Sequence, residues 1–86
     1  MDSIFPLRGR RLWLGKSERN DVPLTDFQEV YPFHCELRWS GDHYDIADSE
    51  QGGVVLVNYR QVQDYALRPG DLIKVGSALL QYGEPS

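Results

Sequence analysis

Apolar and polar positions alternate along this chain in short runs, and no stretch sustains a helical period. Leu12 and Leu14 flank Trp13, a strand with one buried face. After the polar run Ser17 to Asp21, Val22 and Leu24 resume the alternation, with Pro23 marking an edge or a strand start. Phe33, Cys35, Leu37 and Trp39 fall on one face of the next strand, and His34, Glu36 and Arg38 on the other. Ser40 to His43 is a hairpin turn by composition, and Tyr44 to Ala47 returns with Tyr44 and Ile46 inward. Asp48 to Gly53 is a second polar loop, followed by the β-branched run Val54 to Val57. Asn58 to Asp64 is polar with Val62 as its single aliphatic anchor. Leu67 to Asp71 is a tight turn, and Leu72 to Val75 pairs with Ala78 to Tyr82 around Gly76-Ser77.

The N-terminal residues Ile4, Phe5 and Leu7 suggest one more short strand, broken by Pro6, with Arg8 to Arg11 as a solvated turn. Thr25 to Pro32 is a loop, because Pro32 arrives too soon for more than one helical turn. Turn signals this frequent predict an all-β sandwich or barrel in a single domain covering 1–86, with its core between about 4 and 82. The expected core is Leu14, Val22, Cys35, Leu37, Ile46, Ile73, Val75 and Leu80.

Composition narrows the function. The net charge of −4 and the absence of a Lys/Arg cluster beyond Arg8 to Arg11 argue against nucleic acid and against direct membrane contact. The longest uninterrupted apolar run is four residues, Val54 to Val57, far short of the ~20 needed to span a bilayer. One cysteine, Cys35, excludes an internal disulfide and fits a reducing compartment.

No catalytic or metal-ligating set emerges. His34 and Cys35 are adjacent on one strand, so their side chains point to opposite faces and cannot form a dyad. Two histidines and one cysteine lack zinc-ligand spacing. Asp42, Asp45 and Asp48 lack the glycine and distal glutamate of a calcium loop. Neither an enzyme nor a cofactor is expected.

One set of spacings does carry a signature. Gly15-Lys16, His34 nineteen residues after Gly15, Asp48, Val57-Asn58, Val62, and Leu67-x-x-Gly70-Asp71-x-Ile73-x-Val75-Gly76 together resemble the forkhead-associated (FHA) domain. The resemblance implies a β-sandwich of about ten to eleven short strands whose loops at one end grip a phosphothreonine peptide. Only fourteen residues precede Gly15, about one strand fewer than the family has, so the first strand is expected to be missing. The edge this exposes is expected to be met by a neighbouring molecule or shielded by Arg10 and Arg11.

The departures fall on the ligand residues. The family's arginine after the glycine is Lys16 here, which keeps the charge but loses the planar fork. The family's serine and arginine, three and two residues before the histidine, are Tyr31 and Pro32. In the second loop the ungapped match places Gln51, Gly53, Val54 and Val55 on the family's serine and asparagine-glycine-threonine, so the asparagine has no counterpart. The candidate partner-binding residues are Lys16, Ser17, Arg19, Tyr31, Gln51 and Gly53, and the scaffold residues are Gly15, His34, Asn58, Gly70 and Asp71. The apex loops carry Lys16 and Arg19 against Glu18, Asp21, Asp26, Glu29, Asp48 and Glu50, a rim that disfavours phosphate.

Pro32 two before the histidine, Asp48-Ser49, and Leu67-Arg68-x-Gly70 before a Val-Gly turn resemble the cytoplasmic domains of type III secretion inner-membrane ring proteins, FHA-like folds with eroded phosphate loops. This implies a cytoplasmic protein–protein scaffold, self-associating or bound to another assembly component and independent of phosphate. The alternative is a phosphothreonine-reading signalling domain.

Overall fold

The structure, a computed structural model, describes residues 5–49 and 53–83. Nine strands among them form two sheets: β1 (Arg11–Gly15), β2 (Val22–Pro23), β3 (Cys35–Trp39), β4 (Tyr44–Asp48), β5 (Val55–Val57), β6 (Arg60–Val62), β7 (Asp64–Ala66), β8 (Leu72–Val75) and β9 (Ala78–Gln81). The first sheet has the order β2-β1-β3-β4-β7 and the second β6-β5-β8-β9. All pairings are antiparallel except β1 with β2. Pro23, which has no N–H to give a ladder, sits on the edge strand β2.

The core lies between the sheets. Leu14, Val22, Cys35, Leu37 and Ile46 face it from the first sheet, and Val55, Val57, Ile73, Val75 and Ala78 from the second. Leu80, expected inside, is only half-buried because β9 is an edge strand among the described residues. Leu37 is paired across the sheet with both Leu12 and Ile46, so Leu37→Ala should destabilise the domain by ~2–5 kcal/mol in urea unfolding. A change within measurement error would contradict this packing.

Three segments differ from the expected pattern. Phe5 to Leu7 is irregular, with Phe5 and Leu7 packed against the core, and Ile4 lies outside the described residues. Arg11 belongs to β1, where its cross-strand partner is Arg38, and not to the preceding turn. The polar run Asn58 to Asp64 contains β6 and the start of β7. Asn58 and Tyr59 take φ of 51° and 67°, a left-handed pair suited to a two-residue hairpin. Edge strands need backbone partners more than apolar side chains, so composition concealed them.

The outward face of β3 is also a correction. His34 and Glu36 are buried, whereas Phe33, two residues ahead of β3, and Trp39, at its end, both expected inward, are 43% and 44% exposed. Glu36 lies flat on the sheet between two arginines. Its carboxylate accepts hydrogen bonds from Arg11 Nε and, at 2.7 Å, from Arg38 Nε. Burial alone would raise the Glu36 carboxyl, but the two guanidinium hydrogen bonds and charges outweigh it and hold the group below its ordinary 4.5. A carboxyl lowered on folding contributes stability that is present above the unfolded value and lost as pH falls through the folded one. Glu36→Gln should therefore flatten the loss of stability below pH 4.5. Superimposable acid-unfolding curves for the two proteins would refute this.

Candidate peptide-binding site

Three connections meet at one end of the sandwich: β1–β2, β2–β3 and β4–β5. Gly15 sets their spacing. A Cβ there would lie 2.2 Å from the Pro32 carbonyl oxygen, so only glycine lets β1 pass this close to the β2–β3 loop. The loop is then laced to β1: Lys16 N–H donates to Tyr31 O (2.9 Å), Ser17 N–H to Pro32 O (3.2 Å), and His34 N–H to Leu14 O (2.8 Å). Asn20, buried in the β1–β2 loop, donates its side-chain amide to Ser17 O (2.8 Å) and Pro32 O (2.6 Å), leaving its Oδ1 without a partner. The polar run Ser17 to Asp21 that contains Asn20 was legible; the reach of Asn20 to Pro32 was not, because that contact spans twelve residues.

His34 joins the other two loops. Its Nδ1 accepts from Tyr31 N–H at 3.1 Å, so Nε2 carries the proton and donates to Val54 O at 3.0 Å. Cys35 points the other way, into the core, where burial first and the charges of Asp48 and Glu36 second push its thiol up to about 12. The neighbouring imidazole and thiol thus face different surroundings, and the thiol stays protonated and inert.

The Tyr31 ring lies over Gly53. A Cβ on Gly53 would stand 2.7 Å from Tyr31 Cε2 and 2.9 Å from His34 Cε1, and the Tyr31 and His34 rings are 5.5 Å apart. Beside them runs an open groove of about 610 Å³, lined by Glu29, Tyr31, Gly53, Val54, Leu56 and Lys74 among others. Tyr31 and Val54 are 51% and 53% exposed, which gives the groove an apolar wall. Lys74 was not singled out in the sequence, and Glu29 was counted only among the anions of the rim; strand register and loop path bring them here.

Lys16, Ser17, Tyr31 and Gly53 are thus grouped at the apex around His34. The Lys16 and Arg19 side chains are exposed, and Ser17 Oγ accepts from Arg19 N–H at 3.2 Å. Gln51 lies outside the described residues. Asn58, Gly70 and Asp71 are at the other end of β5. There the buried Asp71 carboxylate accepts from Asn58 Nδ2 (3.0 Å) and Arg68 N–H (2.8 Å), and Asn58 Oδ1 accepts from Leu72 N–H (3.1 Å). Gly70, at φ 94°, donates its N–H to Tyr82 O at 2.7 Å.

A sandwich of this topology, with a histidine tying two apex loops together, is matched from residue 2 to 86 by the family described as the inner membrane component of T3SS (the type III secretion system), cytoplasmic domain. The chain belongs to this family. Its fold is that of FHA domains. An FHA domain studied for phosphothreonine-dependent interactions is 28% identical, with 93% of this chain and 83% of that chain covered at a TM-score of 0.80. The FhaA FHA domain, solved with the intracellular domain of Rv3910, is also 28% identical, with 87% and 81% covered at 0.79. The FHA domain of CT664 from Chlamydia trachomatis shares the fold at 20% identity, with 87% and 79% covered and a TM-score of 0.71. No curated protein matches the chain in sequence. The family is a cytoplasmic domain of an inner-membrane component, and among the described residues no helix is long and apolar enough to cross a membrane. Interaction modules of this kind bind proteins.

Proposed function

We propose that this domain is a non-catalytic packing module of a type III secretion assembly that binds protein without reading phosphate. The observation that carries this is Tyr31 on Gly53. The family's phosphate-bonding serine is replaced by an aromatic ring, and the ring occupies the apex beside a residue that has no side chain to hold a peptide. Hydrogen bonds to a charged group are worth ~1.5–3 kcal/mol each. Losing two or three moves a micromolar Kd toward millimolar, at ~1.4 kcal/mol per decade. Lys16 remains as a point charge without a fork.

The phosphothreonine-dependent interactions of the relative with 28% identity favour the other reading, so the test sets the two against each other. In an NMR titration with phosphothreonine peptides and their unphosphorylated twins, the two series are expected to give the same weak shifts. Lys16→Ala should then change only general anion affinity. Saturable, phosphate-dependent shifts at Lys16, Ser17, Arg19 and Tyr31, abolished by Lys16→Ala, would return the domain to the phosphopeptide readers.

A further inference from the structure

Strand direction sorts the charged residues between the two ends of the sandwich. Among the described residues, the apex connections carry Lys16 and Arg19 against Glu18, Asp21, Asp26, Glu29 and Asp48. Six of the seven arginines lie toward the opposite end. Arg8 and Arg10 precede β1, Arg11 opens it, and Arg38 stands one residue before the end of β3. Arg60 opens β6, and Arg68 sits in the β7–β8 turn.

The carboxylates near these arginines are already engaged. Glu36 lies between Arg11 and Arg38. Asp42 and Asp45 each face one ring nitrogen of His43. Ionised carboxylates only accept, so both nitrogens carry protons and the ring is a cation beside them. Asp71 accepts from Asn58 Nδ2 and Arg68 N–H. Arg8, Arg10, Arg60 and Arg68 are exposed, and none has a carboxylate within ion-pair distance among the described residues.

Two aromatic rings share this end: Trp39 is 44% and Tyr59 66% exposed. Trp39 meets Tyr44 edge-on at 4.9 Å, beside a shallow hollow lined by Leu7, Arg8 and Arg10. Hydrogen bonds brace the segments that carry them. Trp39 N–H donates to Arg10 O (2.8 Å), Tyr44 O–H to Gly9 O (2.8 Å), and Leu67 N–H to Tyr44 O (3.0 Å).

We propose that this end docks on the anionic surface of a phospholipid bilayer, with the apex turned away from it. Trp and Tyr settle at headgroup level, and arginine grips lipid phosphate with its planar fork. The family is the cytoplasmic domain of an inner-membrane component, so a bilayer is within reach. An acidic protein segment would need a lined groove. Here the four unpaired arginines are spread over three connections around one shallow hollow. The net charge of −4 counts against membrane contact only where charge is evenly spread, and here it is sorted by end. The molecule measures 30 × 29 × 25 Å, so the apex carboxylates stand roughly two Debye lengths of ~8 Å from a surface at the far end. The inference stands apart from the phosphate question at the apex.

Cosedimentation with vesicles tests it. The domain should bind phosphatidylcholine vesicles holding about 30% phosphatidylglycerol, release them as salt rises, and ignore pure phosphatidylcholine. Each arginine near an anionic leaflet strengthens binding about fivefold, so Arg8→Gln with Arg10→Gln should weaken it about twenty-fold or more. Arg60→Gln with Arg68→Gln should do the same, each pair being checked for a native amide spectrum. Lys74→Gln, on the outward face of the second sheet, should change nothing. Tryptophan emission should shift to the blue on binding, and Trp39→Phe should abolish the shift although Trp13 remains. Absence of binding, equal binding to both vesicles, or equal weakening by Lys74→Gln would overturn the inference. So would capture of a polyglutamate peptide without capture of vesicles, which would assign this end to an acidic protein segment.

Discussion

Gly15→Ala is expected to remove a large share of the domain's stability. The added methyl would stand 2.2 Å from Pro32 O, 2.7 Å from Pro32 C and 2.9 Å from Phe33 Cα. All three are backbone atoms, so no rotamer change relieves the overlap. The β2–β3 loop would have to retreat, and three hydrogen bonds hold it: Lys16 N–H to Tyr31 O, Ser17 N–H to Pro32 O, and His34 N–H to Leu14 O. Overpacking a core costs about 1–3 kcal/mol when side chains adjust. Stretching three backbone hydrogen bonds at ~1 kcal/mol each brings the total to the order of 4–6 kcal/mol. A small domain has about 5–15 kcal/mol in all. Urea unfolding of the variant measures it, and a loss below about 2 kcal/mol would mean that the loop backs away freely. Gly15 is not among the positive-φ residues, so the constraint is space and not backbone conformation.

His34→Ala should cost nearly as much, by a different route. The imidazole is 1% exposed and satisfies two backbone groups from different loops, Tyr31 N–H and Val54 C=O. Alanine leaves both without a partner, at ~1–3 kcal/mol for each buried orphan, and opens a void where the ring was. The expected loss is about 3–6 kcal/mol, accompanied by faster amide exchange at Tyr31. Unchanged exchange there, with stability intact, would show that the two loops hold their positions without the histidine. Because Tyr31 rests against this ring, the variant also separates scaffold from surface. The groove should lose its wall even where the sheets survive.

Much of this was legible in the residues. The alternation of Leu12 with Leu14, of Cys35 with Leu37, and of Tyr44 with Ile46 placed the inward faces, because the space between two sheets is filled mainly by apolar side chains. The run from Leu67 to Gly76 carried the FHA resemblance, and its Gly70-Asp71 pair belongs to a turn whose carboxylate is spent on local backbone and on Asn58. Gly15 was legible as a scaffold glycine through the family spacing; that it is there for a close approach to Pro32 was decided by the structure.

What sequence by itself determined, then, is the inventory of strands with an apolar face, the loops between them, and the replacement of the family's ligand residues by Lys16, Tyr31 and Gly53. Tertiary structure alone decided the rest. The polar strands β6 and β7 exist because a backbone partner was available at each sheet edge, and composition is silent about partners. Glu36 is buried on an outward face because Arg11, twenty-five residues away in the chain, arrives on the adjacent strand to cover it. Tyr31 meets Gly53 because His34 draws two loops together with one ring. Local propensity speaks for neighbours in the chain, whereas these contacts depend on strand register and loop path, which emerge only once both sheets have closed on a common core.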